Sequence, residues 1–206
     1  MAIDRLLSCS ALPKKQVSLR ALRGMLEQSR IIPAIRKPEH MQAALQSPSR
    51  IIFIVCGTPV TIGQLIGEIR DGGKFPIANL DLLSGFGRDP SAVEFLMRAG
   101  VGGVISTHQG VLRAARAQGL ISVLRTFAVD SVAIANCLRA IESSPPDIME
   151  LLPAIAAPLA LIAVRHSWPD LPVIACGLVT SLIQVDDLVR QGITSISVSN
   201  PDLWIL

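Results

Sequence analysis

The chain has 206 residues, half of them apolar, which is enough to bury a core of full size and suits one domain. Its net charge of +3 is uneven: up to Arg36 it carries Arg5, Lys14, Lys15, Arg20, Arg23, Arg30 and Arg36 against Asp4 and Glu27, a net +5, and the remainder is −2. Attraction to an anionic polymer would therefore concentrate near the N-terminus, while the scattered Cys9, Cys56, Cys137 and Cys176, with no Cys-x-x-Cys pair, exclude a zinc site and read as thiols of a reducing cytoplasm.

Residues 1 to 30 read as a basic arm followed by a helix. Leu6-Leu7-Ser8-Cys9 follows no adequate apolar run and has Asp4 where positive charge belongs, so no signal peptide is expected. Val17, Leu19, Leu22, Met25 and Leu26 form an apolar stripe at helical spacing over residues 17 to 29. This helix is expected to pack on the rest of the fold, partly standing in for a helix that the short C-terminus cannot supply.

From Ile31 onward, short β-branched runs alternate with helix-period segments. Strands are expected at 31–36, 51–56, 75–81, 102–106, 120–125, 147–152, 172–176 and 195–199. Most are continuously apolar, as parallel strands buried on both faces are. Helices are expected at 89–100, 109–119 and 180–192, the last capped by Thr180 or Ser181, with Asp186 and Asp187 facing solvent. Gly100, Gly119 and Gly192 close these helices in the left-handed conformation. Eight strands with intervening helices predict an α/β fold of TIM type, a single closed (β/α)₈ barrel over residues 31 to 206. Its last helix is truncated, because the chain stops at PDLWIL. An open doubly wound sheet is the alternative, but it usually has fewer strands and a Gly-rich first turn, which IIPAIRKPEH lacks. The longest apolar run, Leu151 to Val164, is interrupted by Pro153 and Pro158 and falls short of the ~20 residues of a membrane helix, so no membrane span is expected.

In such barrels the residues just past the strand ends form the site. Gly177 with Leu178, and Ser199 with Asn200, follow the last two strands. Small residues let a ligand approach the backbone, and N–H groups at a helix start favour an anion, so these four are the phosphate candidates. The bland alternative is a tight turn at Gly177 and a cap at Asn200. Arg36, Asp81, Arg125 and Glu150 also stand at strand ends. At minimum they form two ion pairs inside the barrel mouth; beyond that, carboxylates can accept bonds from ligand hydroxyls and arginines can fork a phosphate.

The four lysines give a Schiff-base enzyme no well-placed amine: Lys14 and Lys15 lie in the arm, Lys37 follows Arg36, and Lys74 precedes its strand. His40 and His166 fall within helices, and His108 reads as a solvated residue at a helix start. Glu150 as a general base in an enzyme acting on a small phosphate ester remains the alternative. No metal or cofactor is expected.

The chain resembles the glycerol uptake operon antiterminator family, the glycerol-3-phosphate-responsive regulators of bacteria. The resemblance rests on IIPAIR (31–36), NLDLLSGFGRD (79–89), GVIST (103–107), LRTFAVD (124–130), PDIMELLPAI (146–155), PVIACGLV (172–179) and SVSNPDLW (197–204). It implies a cytoplasmic TIM-type barrel that binds glycerol 3-phosphate and acts on leader mRNA to prevent premature transcription termination. By motif position it implies Arg36, Asp81, Arg125, Glu150, Gly177, Ser199 and Asn200 as ligand residues. Asn79 stands where members commonly have His, Ala154 where Gly often follows Leu-Pro, and Cys176 where Gly often precedes Gly177.

RNA binding is not reached from composition: readers of single-stranded RNA stack bases on aromatic rings, and this chain has no Tyr, five Phe and two Trp. Two surfaces are candidates, the arm with Lys14, Lys15, Arg20 and Arg23, and the helix with Arg113 and Arg116. For each, a solvated charged face is the plain alternative. Self-association is left open.

Overall fold

The computed structural model describes residues 17–205. Eight strands, β1 (Ile31–Ile35), β2 (Ile51–Ile54), β3 (Phe75–Asn79), β4 (Gly103–Ser106), β5 (Ile121–Phe127), β6 (Ile148–Leu152), β7 (Val173–Cys176) and β8 (Ser195–Val198), pair in chain order. Every pair is parallel, and β8 closes onto β1 with Ile31 opposite Ile196 and Pro33 opposite Val198. The result is the closed (β/α)₈ barrel expected from the sequence, with each strand within two residues of its expected bounds.

Parallel strands need crossovers, and helices supply them. After α1 (Leu19–Glu27) come α2 (Met41–Gln46), α3 (Ile62–Asp71), α4 (Pro90–Arg98), α5 (Gln109–Ala117), α6 (Ser131–Ser143), α7 (Ala157–Ser167) and α8 (Leu182–Arg190). Side-chain caps set several starts: Asp89 accepts from Ala92 N and Asp130 from Ala133 N. Ser181 and Gln184 form a reciprocal capping box on α8. Such caps contribute about 1 kcal/mol each. Gly100, Gly119 and Gly192 carry positive φ past the ends of α4, α5 and α8, where only glycine avoids the Cβ clash of the left-handed turn. Asp186 and Asp187 face outward as expected, each side chain about half exposed, and there Asp186 pairs with Arg30 and Asp187 with Arg190.

Period-two alternation sorts each strand between two apolar environments. In β5, Val123 joins Ile77, Ile105 and Ile174 inside the barrel, whereas Leu124 joins the layer under the helices. The same alternation holds in β3, where Ile77 points in and Ala78 out.

One expectation is corrected. Helix α1 packs on the barrel but does not occupy the gap left by the truncated last helix. Leu22 and Leu26 insert among Ile32, Ile51, Ile77 and Ile148, residues near the starts of their strands, and so close the N-terminal end. The Ser195 hydroxyl ties α1 down by donating to the Leu26 carbonyl at 3.1 Å. The reason is apolar demand: that end would otherwise open the barrel interior to water. The gap after β8 is filled instead by Trp204, 1% exposed, which follows a 3₁₀ turn at Pro201–Leu203. Its indole N–H donates to the Val198 carbonyl at 2.9 Å, and its ring meets His40 edge-on.

Trp204→Ala should therefore destabilise the barrel by about 3–5 kcal/mol, read as a lowered urea midpoint at unchanged slope. A loss below about 1 kcal/mol would mean that Trp204 does not hold the β8–β1 closure.

Candidate functional site

Continuing the alternation toward the strand ends places the polar residues. Beyond Ala34 comes Arg36, beyond Val123 Arg125, beyond Ile148 Glu150, and beyond Ile174 Cys176, each on the inward-facing series of its strand. Arg36, Arg125, Glu150, Gly177, Leu178 and Ser199 line one pocket at the C-terminal mouth. Its volume is about 90 Å³, several times the ~10–15 Å³ that one water needs, which sizes it for a small molecule. Six of the eight residues expected at a ligand site are thus brought together.

Arg125 and Glu150 face each other across the β5–β6 register, with Nη1 3.2 Å from Oε2. The Glu150 side chain is 2% exposed, so its charge needs this partner. The N–H geometry leaves Oε2 without a directed hydrogen bond; the contact is an ion pair with acceptor capacity to spare. Burial pushes the Glu150 carboxyl above the ordinary carboxylate range, opposed by the Arg125 charge and by a hydrogen bond with the Cys176 thiol. The Cys176 thiol is itself pushed up, first by burial and then by the Glu150 charge, and is no nucleophile at neutral pH.

The pocket wall after β7 turns through two successive left-handed residues, Gly177 at φ 81 and Leu178 at φ 62. A leucine held there stores strain on the order of 1–2 kcal/mol. Among the described residues no acceptor takes the N–H groups of Gly177, Leu178, Val179 or Ser199, and all four residues line the pocket. The helix start is a different matter from what the sequence suggested. The N–H groups of Thr180 and Ser181 are consumed by Gln184 Oε1 at 2.7 and 3.2 Å. The N–H groups left open at the mouth are those of the turn, not of the α8 terminus.

Two candidates lie elsewhere. Asn200 caps the last turn, accepting from Asp202 N at 3.2 Å, and does not line the pocket. Asp81 stands outside it too: Oδ1 accepts from the Ser106 hydroxyl at 2.7 Å, and Oδ2 accepts from Thr107 N at 2.6 Å and the Thr107 hydroxyl at 2.9 Å. Both carboxylate oxygens are occupied in joining the β3 and β4 loops, with Arg88 Nη2 donating to the Asp81 carbonyl at 3.0 Å.

The basic candidates also divide. Lys14 and Lys15 lie outside the described residues. Arg23 Nη2 donates to the Asp170 carbonyl at 2.9 Å. Arg116 turns inward to the hydroxyls of Ser122 and Ser144, and burial lowers its pKa. Arg20 and Arg113 are exposed.

Leu82, Val179, Cys176 and Ser197 line the pocket but were not expected there. Strand alternation carried the signal for Cys176 and Ser197; nothing local marked Leu82 or Val179. Asn79, at the inward end of β3, is fully buried with neither amide atom partnered among the described residues. Such a group costs about 1–3 kcal/mol, so core packing alone does not account for it.

A closed β/α barrel with two arginines and an open backbone turn at its C-terminal mouth is a single-domain barrel of TIM type. The chain belongs to the glycerol-3-phosphate responsive antiterminator family, whose model matches residues 31–204. It is 31% identical over 183 residues to Uncharacterized protein YgcP of Escherichia coli K12, covering 88% of this chain and 95% of that one. The glycerol uptake operon antiterminator regulatory protein of Listeria monocytogenes superposes with TM-score 0.79 at 29% identity, covering 86% of this chain and 95% of that one. A glycerol uptake operon antiterminator-related protein of Thermotoga maritima gives 0.78 at 26%, covering 85% and 98%. Aldolases share the fold alone, as with a deoxyribose-phosphate aldolase of Aeropyrum pernix at TM-score 0.64 and 16% identity.

Two outcomes follow from the charges. Because the folded Glu150 carboxyl binds its proton more tightly than the unfolded one, the stability it contributes is complete below about pH 4.5 and is lost as pH rises through the elevated folded value. The thermal midpoint of the unliganded protein should fall across that window, and Glu150→Gln should remove this component; parallel profiles for the two proteins would contradict it. Asp81→Ala should cost about 2 kcal/mol in urea denaturation yet leave ligand affinity within about threefold, since its carboxylate serves the loops and not the pocket.

Proposed function

We propose that this protein senses glycerol 3-phosphate at the barrel mouth and, when liganded, acts on leader mRNA to prevent premature termination ahead of glycerol-uptake genes. The observation that carries the ligand is the cluster of unclaimed N–H groups at Gly177, Leu178, Val179 and Ser199 beside Arg36. Arg36 has no carboxylate partner among the described residues. A phosphate takes these donors, and the glycerol hydroxyls reach the open acceptor capacity of Glu150, with the Arg125 charge opposing the effect of burial on that carboxyl and orienting it. Family membership supports the ligand and the regulatory role.

Lysine placement supports a regulator over a Schiff-base enzyme. Lys37 is 64% exposed and pairs with Glu39. Lys74 lies at the N-terminal end of the barrel, donating to the carbonyls of Ser47 and Ser49 at 2.6 and 2.7 Å. Neither offers the desolvated amine in the pocket that aldolase chemistry needs. The RNA contact falls on the N-terminal arm and Arg20, where the positive charge is concentrated. Helix α1, which follows the arm in the sequence, packs at the end of the barrel opposite the pocket, so an RNA held there and the ligand communicate through the barrel, and the coupling is reciprocal.

Calorimetry with sn-glycerol 3-phosphate, against glycerol and inorganic phosphate, tests the ligand. Selective binding is expected, weakened at least about a hundredfold in Gly177→Asp, which sets a carboxylate among the phosphate donors. No binding by the intact protein would overturn the reading. Leader RNA should then bind more tightly with ligand present, and charge reversal at Lys14, Lys15, Arg20 and Arg23 should abolish it at low salt; unchanged affinity would remove the arm from the interface.

A further inference from the structure

The apolar run from Leu151 to Val164 has no part in the ligand pocket, and it is unusual once folded. Helix α7 is apolar on both sides. Ala157, Ala160, Leu161 and Val164 are buried against the barrel. On the opposite face Leu159 and Ile162, both 72% exposed, continue a stripe begun by Ile155, 81% exposed, in the turn before the helix. A helix that is hydrophobic all round is normally covered all round. Beside the stripe, α7 and α8 enclose a groove of about 430 Å³ lined by Ile155, Pro158, Leu159, Leu178, Val179 and Leu188. Leu178, 77% exposed, joins this groove to the ligand pocket.

We infer that the outer face of α7 with this groove is the interface through which two copies of the chain form a symmetric dimer. Three observations choose a second copy over other occupants. First, Ile155, Leu159, Ile162 and Leu178 offer roughly 100 Å² of apolar surface each, together about half of the ~800 Å² per partner that a stable complex buries and within reach of it once the groove walls are added. Second, a stripe formed by Leu159 and Ile162 of α7 with Ile155 in the turn before it is self-complementary: laid across its own mate about a two-fold axis, each copy covers the same patch on the other, as an isologous contact requires. Third, the charge pattern suits neither nucleic acid nor an anionic lipid surface. Residues 151 to 164 contain no Lys or Arg, and Arg165 is turned to the Leu171 carbonyl. The charge on the far wall of the groove is Asp187, held by Arg190 at 2.6 Å.

Sedimentation equilibrium of the full chain without ligand, at tens of micromolar, should return the mass of two chains. A Leu159→Glu/Ile162→Glu variant should return the mass of one, with dimer affinity weakened at least about a hundredfold and with its circular dichroism unchanged, because both side chains already face water within one chain. Leu159→Ser is a milder variant that should weaken the dimer in the same direction if the double one folds poorly. A single-chain mass for the wild type would overturn the proposal, as would a dimer that survives these substitutions. Flotation of a single-chain wild type with phosphatidylserine-containing vesicles would overturn it in favour of a lipid surface. The measurement needs no ligand, so its failure would not touch the assignment of the pocket, and failure of the pocket would not touch it.

Discussion

A closed parallel barrel leaves each strand residue only two places to go, inside the barrel or under the helices, and everything else in this structure depends on that division. Because both places are apolar along most of each strand, most of the strands are largely apolar on both faces. On the inward series polar residues gather at the last turn of the barrel, where Arg36, Arg125, Glu150 and Ser199 stand, while Ser195 at the opposite end is tied to the Leu26 carbonyl. The opposite end is sealed by Leu22 and Leu26 of α1. One end is therefore a plug and the other a polar, open mouth, and the polarity of the molecule follows from strand direction.

At the open mouth, backbone and side chains divide the work. The Arg125–Glu150 pair is nearly dry, and its stability rests on the two residues being adjacent across one strand register. A carboxylate in that place without its arginine would protonate rather than remain charged. The turn at Gly177 and Leu178 contributes donors of another kind: N–H groups that bring no net charge and are already oriented. In the proposed function they meet the two ends of a small phosphate ester, the anionic end at the turn and the hydroxyl end at the pair. Leu178 shows what this costs, since its left-handed backbone is strained and its side chain is left facing outward.

Much of this was legible before folding. The eight strands follow from runs of β-branched residues bounded by Gly, Pro and polar turns, and helix ends from Ser181 and from Gly100, Gly119 and Gly192 with positive φ. Reading strand ends as a site located six pocket residues, because barrel topology converts a position in sequence into a position at the mouth. It misplaced Asp81 and Asn200 because both sit at strand ends but find local partners, Ser106 and Thr107 for one and Asp202 N for the other. A single sequence does not state whether a carboxylate is already satisfied. Arg116 failed as a surface candidate for the same reason: helical spacing placed it beside Arg113, but the hydroxyls that draw it inward come from β5 and the end of α6.

What the sequence determined by itself was the order and type of the elements, the closure of the barrel and the end at which the polar groups gather, because these follow from periodicity, turn chemistry and chain direction, which are local. What only the tertiary structure decided was the surroundings of each group: α1 as a plug and Trp204 as the filler after β8, the turn N–H groups and not those of the α8 start left without acceptors, and the outer face of α7 left in water. These are questions of which partner is near, and nearness between residues far apart in the chain is created by packing.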